Sequence, residues 1–306
     1  MNGAILAGLT SGAFWGFAFL VPQLIPECSP GLIALGRFCF FGLISVLALA
    51  FRYRELRRVL SKSILLQSLS FSFFGNSFYY FLLILGIRFA GITASSLIVG
   101  LLPVTVAIAG NGGRITRRMI PSLSLITFGI LVINIDLWIK TTPRALHPVL
   151  GVFFLVSALA LWTWYAVANS NFLKTHSSIS PALLSSLTGA FTLLFSPLIA
   201  WIQSASTGVD ILNSLPHGHE LIAFILWSAL LGIGASWLAL WLWNIASHRL
   251  PTSLSGQLIV SETLFALLYG FIFEKRFPEI FETIAIISIT LGVLMAIRSP
   301  RTGRNA

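Results

Sequence analysis

Charge is scarce in this chain. Only 9% of its 306 residues are Asp, Glu, Lys or Arg, while 57% are hydrophobic and the mean hydropathy is +0.92. A soluble domain carries about 25% charged residues, so a water-soluble fold is excluded. Acid is scarcer still: nine Asp and Glu leave little from which to build acid–base chemistry or a metal site. Catalytic signatures are missing too, with no GxSxG, HExxH, Walker A loop or CxxC in the chain. No enzyme and no cofactor are therefore expected, and no ATP-driven pump within a single chain. His217-Gly-His219 reads as a solvated loop pair rather than a metal site. The two cysteines, Cys28 and Cys39, would lie about 16 Å apart along a helix, too far for a bridge. A net charge of +10 often marks a nucleic-acid partner. Here the cations sit in connectors between apolar runs, so none is expected.

Long apolar runs are what the chain has in quantity. A membrane-spanning helix needs about 20 apolar residues, which allows about ten spans here and no soluble domain. The runs place them near 3–24, 30–51, 63–86, 92–110, 119–139, 148–172, 181–203, 220–247, 252–273 and 279–298. Pro22, Pro26, Pro30, Pro148, Pro181, Pro251 and Pro278 fall at or near the proposed ends, as helix punctuation requires. The first run lacks a basic leader and a small-residue cleavage site, and reads as a retained helix. Thirteen of the nineteen Lys and Arg fall in connectors on one side, five on the other, and Arg37 lies inside a span. That bias predicts that both termini are cytoplasmic.

Polar and aromatic chemistry concentrates between Ser236 and Lys275. Trp237, Trp241, Asn244 and His248 follow at spacings of four, three and four, which places them on one helical face. After the turn at Pro251, the next span carries Ser253, Gln257, Ser261 and Glu262. Glu262 lies about 15 Å along its helix from Pro251, near mid-bilayer. A carboxylate there needs a partner, a proton or a watery cavity. It reads as a proton carrier, as the counter-charge to a substrate ammonium, or as a fixed partner of Arg37. Arg37, about 10 Å from Pro30, stays charged and needs a carboxylate, carbonyls, water or a substrate carboxylate. Asn76, Tyr79 and Tyr80 in the third span, with Trp162, Trp164, Tyr165 and Asn169 in the sixth, complete a set that suits an amino acid. Rings face an apolar or aromatic side chain, and amides face its head group. Helix packing accounts for the same residues equally simply. Gly8, Gly12 and Gly16 form a ridge that admits a close helix contact. Trp15 beside it faces either a cavity or lipid. Ser95, Ser96 and Pro103 weaken the fourth span, freeing backbone groups to face a ligand.

Glu262-Thr-Leu-Phe-Ala-Leu-Leu-Tyr-Gly-Phe-Ile-Phe-Glu274 resembles the final-repeat pattern of the drug/metabolite transporter (EamA) superfamily, with Thr263 and Phe273 replacing its usual proline and glycine. Phe14-Trp15-Gly16, Leu35-Gly-Arg37-Phe38, Tyr80, Ala94-Ser95-Ser96-Leu97 and Leu102-Pro103-Val104 resemble its other motifs in order. The stretch from Trp237 to Thr263 is most similar to aromatic amino-acid exporters of the YddG type. The resemblance implies an all-α membrane protein of ten transmembrane helices as two inverted five-helix repeats, at 1–143 and 144–298, followed by a cytoplasmic tail at 299–306. Matches between 96–100 and 257–261 agree with a repeat. It further implies export of aromatic and other apolar amino acids across a bacterial inner membrane by alternating access, as a uniporter or coupled to protons. The substrate-binding set is then Trp15, Asn76, Tyr79, Tyr80, Ser96, Trp162, Trp164, Tyr165, Asn169, Trp237, Trp241, Asn244 and Gln257, with Glu262 and Arg37 for coupling or an ion pair. The expected partners are this substrate and membrane lipids. A cationic drug or amine recognised by Glu262 is the alternative, and a lipid flippase or an intramembrane enzyme is the alternative of another class.

Overall fold

A computed structural model describes residues 1–140, 147–208, 211 and 214–298. The boundary expected at 143/144, Arg144 and the tail at 299–306 lie outside these residues. The described residues are helical and contain no strand. The helices are α1 (Asn2–Phe17), α2 (Val21–Leu24), α3 (Pro30–Phe51), α4 (Tyr53–Val59), α5 (Lys62–Ser72) and α6 (Phe78–Gly100). There follow α7 (Leu102–Ala109), α8 (Ile120–Lys140), α9 (Pro148–Thr175), α10 (Pro181–Thr207) and α11 (Gly218–Leu230). The chain ends with α12 (Ala239–Arg249), α13 (Thr252–Leu258), α14 (Ser261–Glu274) and α15 (Ile280–Arg298). Two wide π-helical turns, Phe73–Ser77 and Leu231–Leu238, join α5 to α6 and α11 to α12 without a loop.

Among the described residues, eight stretches are long and apolar enough to cross a membrane, and Ile120–Ile135 is a shorter apolar helix. One of the eight, Lys62–Ala109, runs for 48 residues. Straight, it would measure about 72 Å, more than twice a bilayer core of about 30 Å. Its contacts with α9 show that it is folded back. Gly75 lies against Tyr165, Gly86 against Leu155 and Ala90 against Gly151, an antiparallel register. Beyond Gly91, the Thr105 hydroxyl meets that of Thr163 at 2.8 Å, so the chain has returned along the same helix. Gly91 makes the reversal at φ 85°, a conformation closed to most side chains. The expected third and fourth spans both lie in this stretch, on either side of that residue.

Local chemistry sets the helix starts. Ser29 and Ser180 each accept a hydrogen bond from the backbone N–H three residues on, with proline following at the first helical position of α3 and α10. Serine satisfies an orphan donor, and proline has no N–H to lose there. At α1 the glycine ridge meets its partner. A Cβ on Gly8 would press on Leu258, one on Gly12 would collide with Ser261, and one on Gly16 would strike the backbone of Glu262 and Ala266. Hydrogen alone lets α1 seat on α13 and α14. The ridge therefore fixes the position of Glu262.

One end of the bundle gathers the start of α1, α4, the end of α9, and the α12–α13 turn with Lys174 and Arg249. The other end holds Gly91, the start of α9, where the His147 N–H donates to Phe89 O, and an apolar cluster of Val21, Ile25, Leu32, Ile211 and Phe224. There Arg276 is bound by Glu274 and by both oxygens of Glu282, at 2.6 and 2.7 Å, clasping α14 to α15. The Glu282 hydrogen bonds, ahead of those from Glu274, push the Arg276 guanidinium above its ordinary pKa. The cysteines are both free, Cys28 buried and Cys39 half-buried.

Candidate functional site

Two helices are broken near the middle of the bundle. At Leu101, between α6 and α7, and at Ile259 and Val260, between α13 and α14, the bonds tighten to three-residue spacing: Leu101 N–H to Ile98 O, Glu262 N–H to Ile259 O and Thr263 N–H to Val260 O. Pro103 in the first turn of α7 explains the first break, as the sequence leads one to expect. The second has no proline. Glu262 stands in the first turn of the half-helix α14, at the positive end of its helix dipole, which favours an anion.

Arg37 on α3 enters the same region. Its Nε donates to Ser236 Oγ at 2.7 Å and its Nη2 to Ala235 O at 3.3 Å, so the wide turn before α12 holds the guanidinium. Glu262, Tyr79 and Tyr80 lie within electrostatic reach of it. Arg37 and Glu262 nevertheless make no ion pair within 4.0 Å, and the Glu262 carboxylate has no protein hydrogen-bond partner among the described residues. Tyr80 packs its edge on Phe38. One turn earlier Asn76 sits in the first π turn with its Nδ2 buried and unpartnered.

An aromatic cluster lies between α1, α9 and α12. Trp15 contacts Trp162 at 6.2 Å and Trp243 at 5.6 Å, and Trp162 contacts Trp243 at 6.3 Å and Tyr165 at 5.9 Å. Trp243 was not among the residues singled out from the sequence. It is 1% exposed, with an unpartnered Nε1. The signal for it was the face it shares with the small residues Ala239 and Ala246, which turns toward α1: Ser11 Oγ donates to Ala239 O, and Gly8 lies against Ala246.

The remaining candidates fall elsewhere. Asn169 Nδ2 donates to Asn244 Oδ1 at 2.8 Å, and Asn244 Nδ2 donates to Ser185 Oγ at 2.9 Å and Pro181 O at 3.4 Å. Both amides are buried, joining α9, α12 and α10 to one another. Trp237 donates from Nε1 to Ser186 Oγ at 3.0 Å and meets Trp241 in a tilted ring contact at 5.4 Å. Ser170 donates to Ser247 O and bonds Thr252, and Lys174 Nζ donates to both hydroxyls at 2.9 Å. His248 Nδ1 meets Leu173 O at 2.9 Å. These bonds tie α9 to α12 and α13 at the Lys174 end of the bundle. Gln257 is buried, donating to Ser253 O with its Oε1 unpartnered. Trp164 is 44% exposed against Phe71 and Phe74, away from the Trp15 cluster. Ser96 is exposed and its hydroxyl makes no hydrogen bond among the described residues, whereas Ser95 bonds back to Gly91 O at 2.7 Å. No group of three His, Cys, Asp or Glu that would hold a metal occurs among the described residues.

Comparison with known proteins agrees with this arrangement. The chain is similar to the inner membrane protein YtfF of Escherichia coli (strain K12), 29% identical over 320 residues that cover 98% of this chain and 96% of that protein. An uncharacterized transporter of Haemophilus influenzae (strain ATCC 51907 / DSM 11121 / KW20 / Rd) is 32% identical over 168 residues, covering 55% of this chain and 76% of its own. A solved structure, described only as the crystal structure of a protein, superposes with a TM-score of 0.78 over 99% of both chains at 19% identity, which shows the shared fold. The EamA-like transporter family matches residues 2–135 and again 149–298. With broken helices, a paired match along the chain and ionisable groups in its apolar interior, this is a multi-pass membrane transporter, and it belongs to the EamA-like family of the drug/metabolite transporter superfamily.

Proposed function

We propose that the chain exports aromatic and other apolar amino acids across a bacterial inner membrane by alternating access. The observation that carries this reading is the pair Arg37 and Glu262, opposite in charge, within reach of each other, and not neutralising each other. On this reading a zwitterion lies between them, its carboxylate on the guanidinium and its ammonium on the carboxylate. This moves the head group from Asn244 and Gln257, whose amides are engaged or buried, to the two charges, with Asn76 beside them. The side chain then lies toward Trp15, Trp162 and Trp243, where a further ring adds edge contacts of about 0.5–1.5 kcal/mol each.

Ten helices in two inverted repeats, with both termini cytoplasmic, accommodate the mechanism. Several features support the repeat. The π turns and the broken helices each recur once per half. Glycine contacts are reciprocal as well: Gly42 packs on Leu193 and Gly189 on Ser45, Gly129 on Ile289 and Gly292 on Ile126. In such a fold the halves rock about a central site. The bonds at the Lys174 end then hold α9, α12 and α13 of the second half together as it moves.

Uptake of labelled tryptophan, phenylalanine and leucine into proteoliposomes, with and without a pH gradient, tests the reading. Substrate-specific equilibration that ignores the gradient identifies a uniporter. Accumulation driven by the gradient identifies a proton-coupled carrier, with Glu262 as the coupling residue. No uptake of any of the three removes the amino-acid assignment. The unpartnered Glu262 carboxylate also favours a second reading, a cationic amine as substrate. Cation binding lost in Glu262→Gln, with amino-acid uptake absent from the wild type, selects that one.

A further inference from the structure

Helix α4 is the one described helix of the chain with three arginines, and it does not span the membrane. It turns off the end of α3 at Arg52 and lies against the start of α10. Arg52 Nη1 donates to Glu55 at 3.0 Å. Burial by itself would raise the Glu55 carboxyl pKa, but hydrogen bonds from Ser180 and Arg52 more than offset it and hold the group below its usual value. The single acid of the helix is thus bound on both sides. Arg54 and Arg58, four residues apart and so on one face, make no hydrogen bond or ion pair with the protein among the described residues.

Both line a cavity of about 870 Å³ with Ala50, Phe51, Tyr53 and Ser178. A second cavity of about 310 Å³ shares Arg52 and adds Trp241, His248 and Arg249. The larger one opens at the foot of an apolar track. Leu43, Val46 and Leu47 are exposed along α3, and Phe51, 89% exposed, ends the track at the cavity rim. Lipid-facing side chains therefore lead straight into a cluster of arginines.

We propose that this cavity is a binding site for the phosphodiester headgroup of an anionic phospholipid, with Arg54 and Arg58 on the phosphate and an acyl chain along Leu43, Leu47 and Phe51 of α3. Guanidinium forks match phosphate geometry, and each arginine near an anionic membrane surface adds about a fivefold preference. A soluble anion would use the same arginines but not the apolar track, and lipid is the only occupant that satisfies both.

Native mass spectrometry of the full-length protein tests the site, with phosphatidylglycerol, phosphatidylcholine or inorganic phosphate as the added probe. The wild type is expected to retain phosphatidylglycerol under activation that strips phosphatidylcholine. Arg54→Ala with Arg58→Ala should weaken retention roughly fivefold for each arginine removed. The control Arg114→Ala with Arg117→Ala removes equal charge from the α7–α8 connector and should retain the lipid. Equal retention of the two lipids, equal loss in both double variants, or displacement of the lipid by equimolar phosphate would each overturn the proposal. Should the double variant fail to fold, Arg58→Gln with an unchanged melting temperature takes its place, and unchanged retention there also overturns it.

Discussion

Glu262 and Asn244 are polar residues in an apolar interior, yet they differ in kind. Asn244 is spent on three partners; the Glu262 carboxylate has none among the described residues. Removing Asn244's amide with leucine should leave Asn169 and Ser185 short of partners and cost about 1–3 kcal/mol, seen as a lower melting temperature in detergent. Glu262→Gln should leave that temperature nearly unchanged while weakening substrate affinity about 30-fold or more, since a buried counter-charge is lost. A fall in melting temperature with unchanged transport would mark Glu262 as structural. Sequence spacing placed Trp237, Trp241, Asn244 and His248 on one face, and they do share one. The pattern did not say what that face meets. It meets Ser185, Ser186 and the α9 end, because a helical period fixes direction around an axis and not the identity of the neighbour. Trp164 shows the converse: its type suited the site, but its direction carries it outward.

Among elements, α1 is held by its glycines and α4 by a carboxylate. Gly12→Leu should lever α1 off α14 and lower both stability and transport, whereas Gly3→Ala, with nothing within 4 Å, should change neither. Transport and melting temperature measured on the two variants check this. At α4, the Glu55 pKa is lower in the folded state than in the unfolded one. Its contribution is therefore complete above the unfolded value of about 4.3 and is lost as pH falls through the folded value. Hydrogen exchange at Tyr53–Val59 should accelerate across that acidic window relative to Glu55→Gln, after correction for the intrinsic rate. The long apolar helices and the proline starts of α3, α9 and α10 were legible because hydropathy and proline act locally. The breaks at Ile259 and the two π turns were not, for no proline marks them, and only contacts from other helices stabilise the irregular backbone.

For the whole molecule, the end at Lys174 should become more accessible when substrate moves. In a background lacking Cys28 and Cys39, Ser185→Cys should resist a membrane-impermeant thiol reagent and become labelled during turnover with substrate. Labelling at the same rate without substrate would show that access at this end does not change with transport. The recurrence of π turns, in the third span as sequence orders them and in the eighth, has a consequence of its own. A π turn is one residue more than the α lattice accommodates, a dislocation in a one-dimensional crystal. Deleting a single residue within Leu231–Leu238 would heal it and leave the helix that follows facing as it does now, because the wide turn already absorbs the extra residue. The tryptophan face would stay on α10, while Arg37 would lose the widened turn that presents Ser236 and Ala235 to it. Two chains of this kind that differ by one residue of length at that turn would therefore line their interiors with the same side chains and differ in what holds the buried arginine.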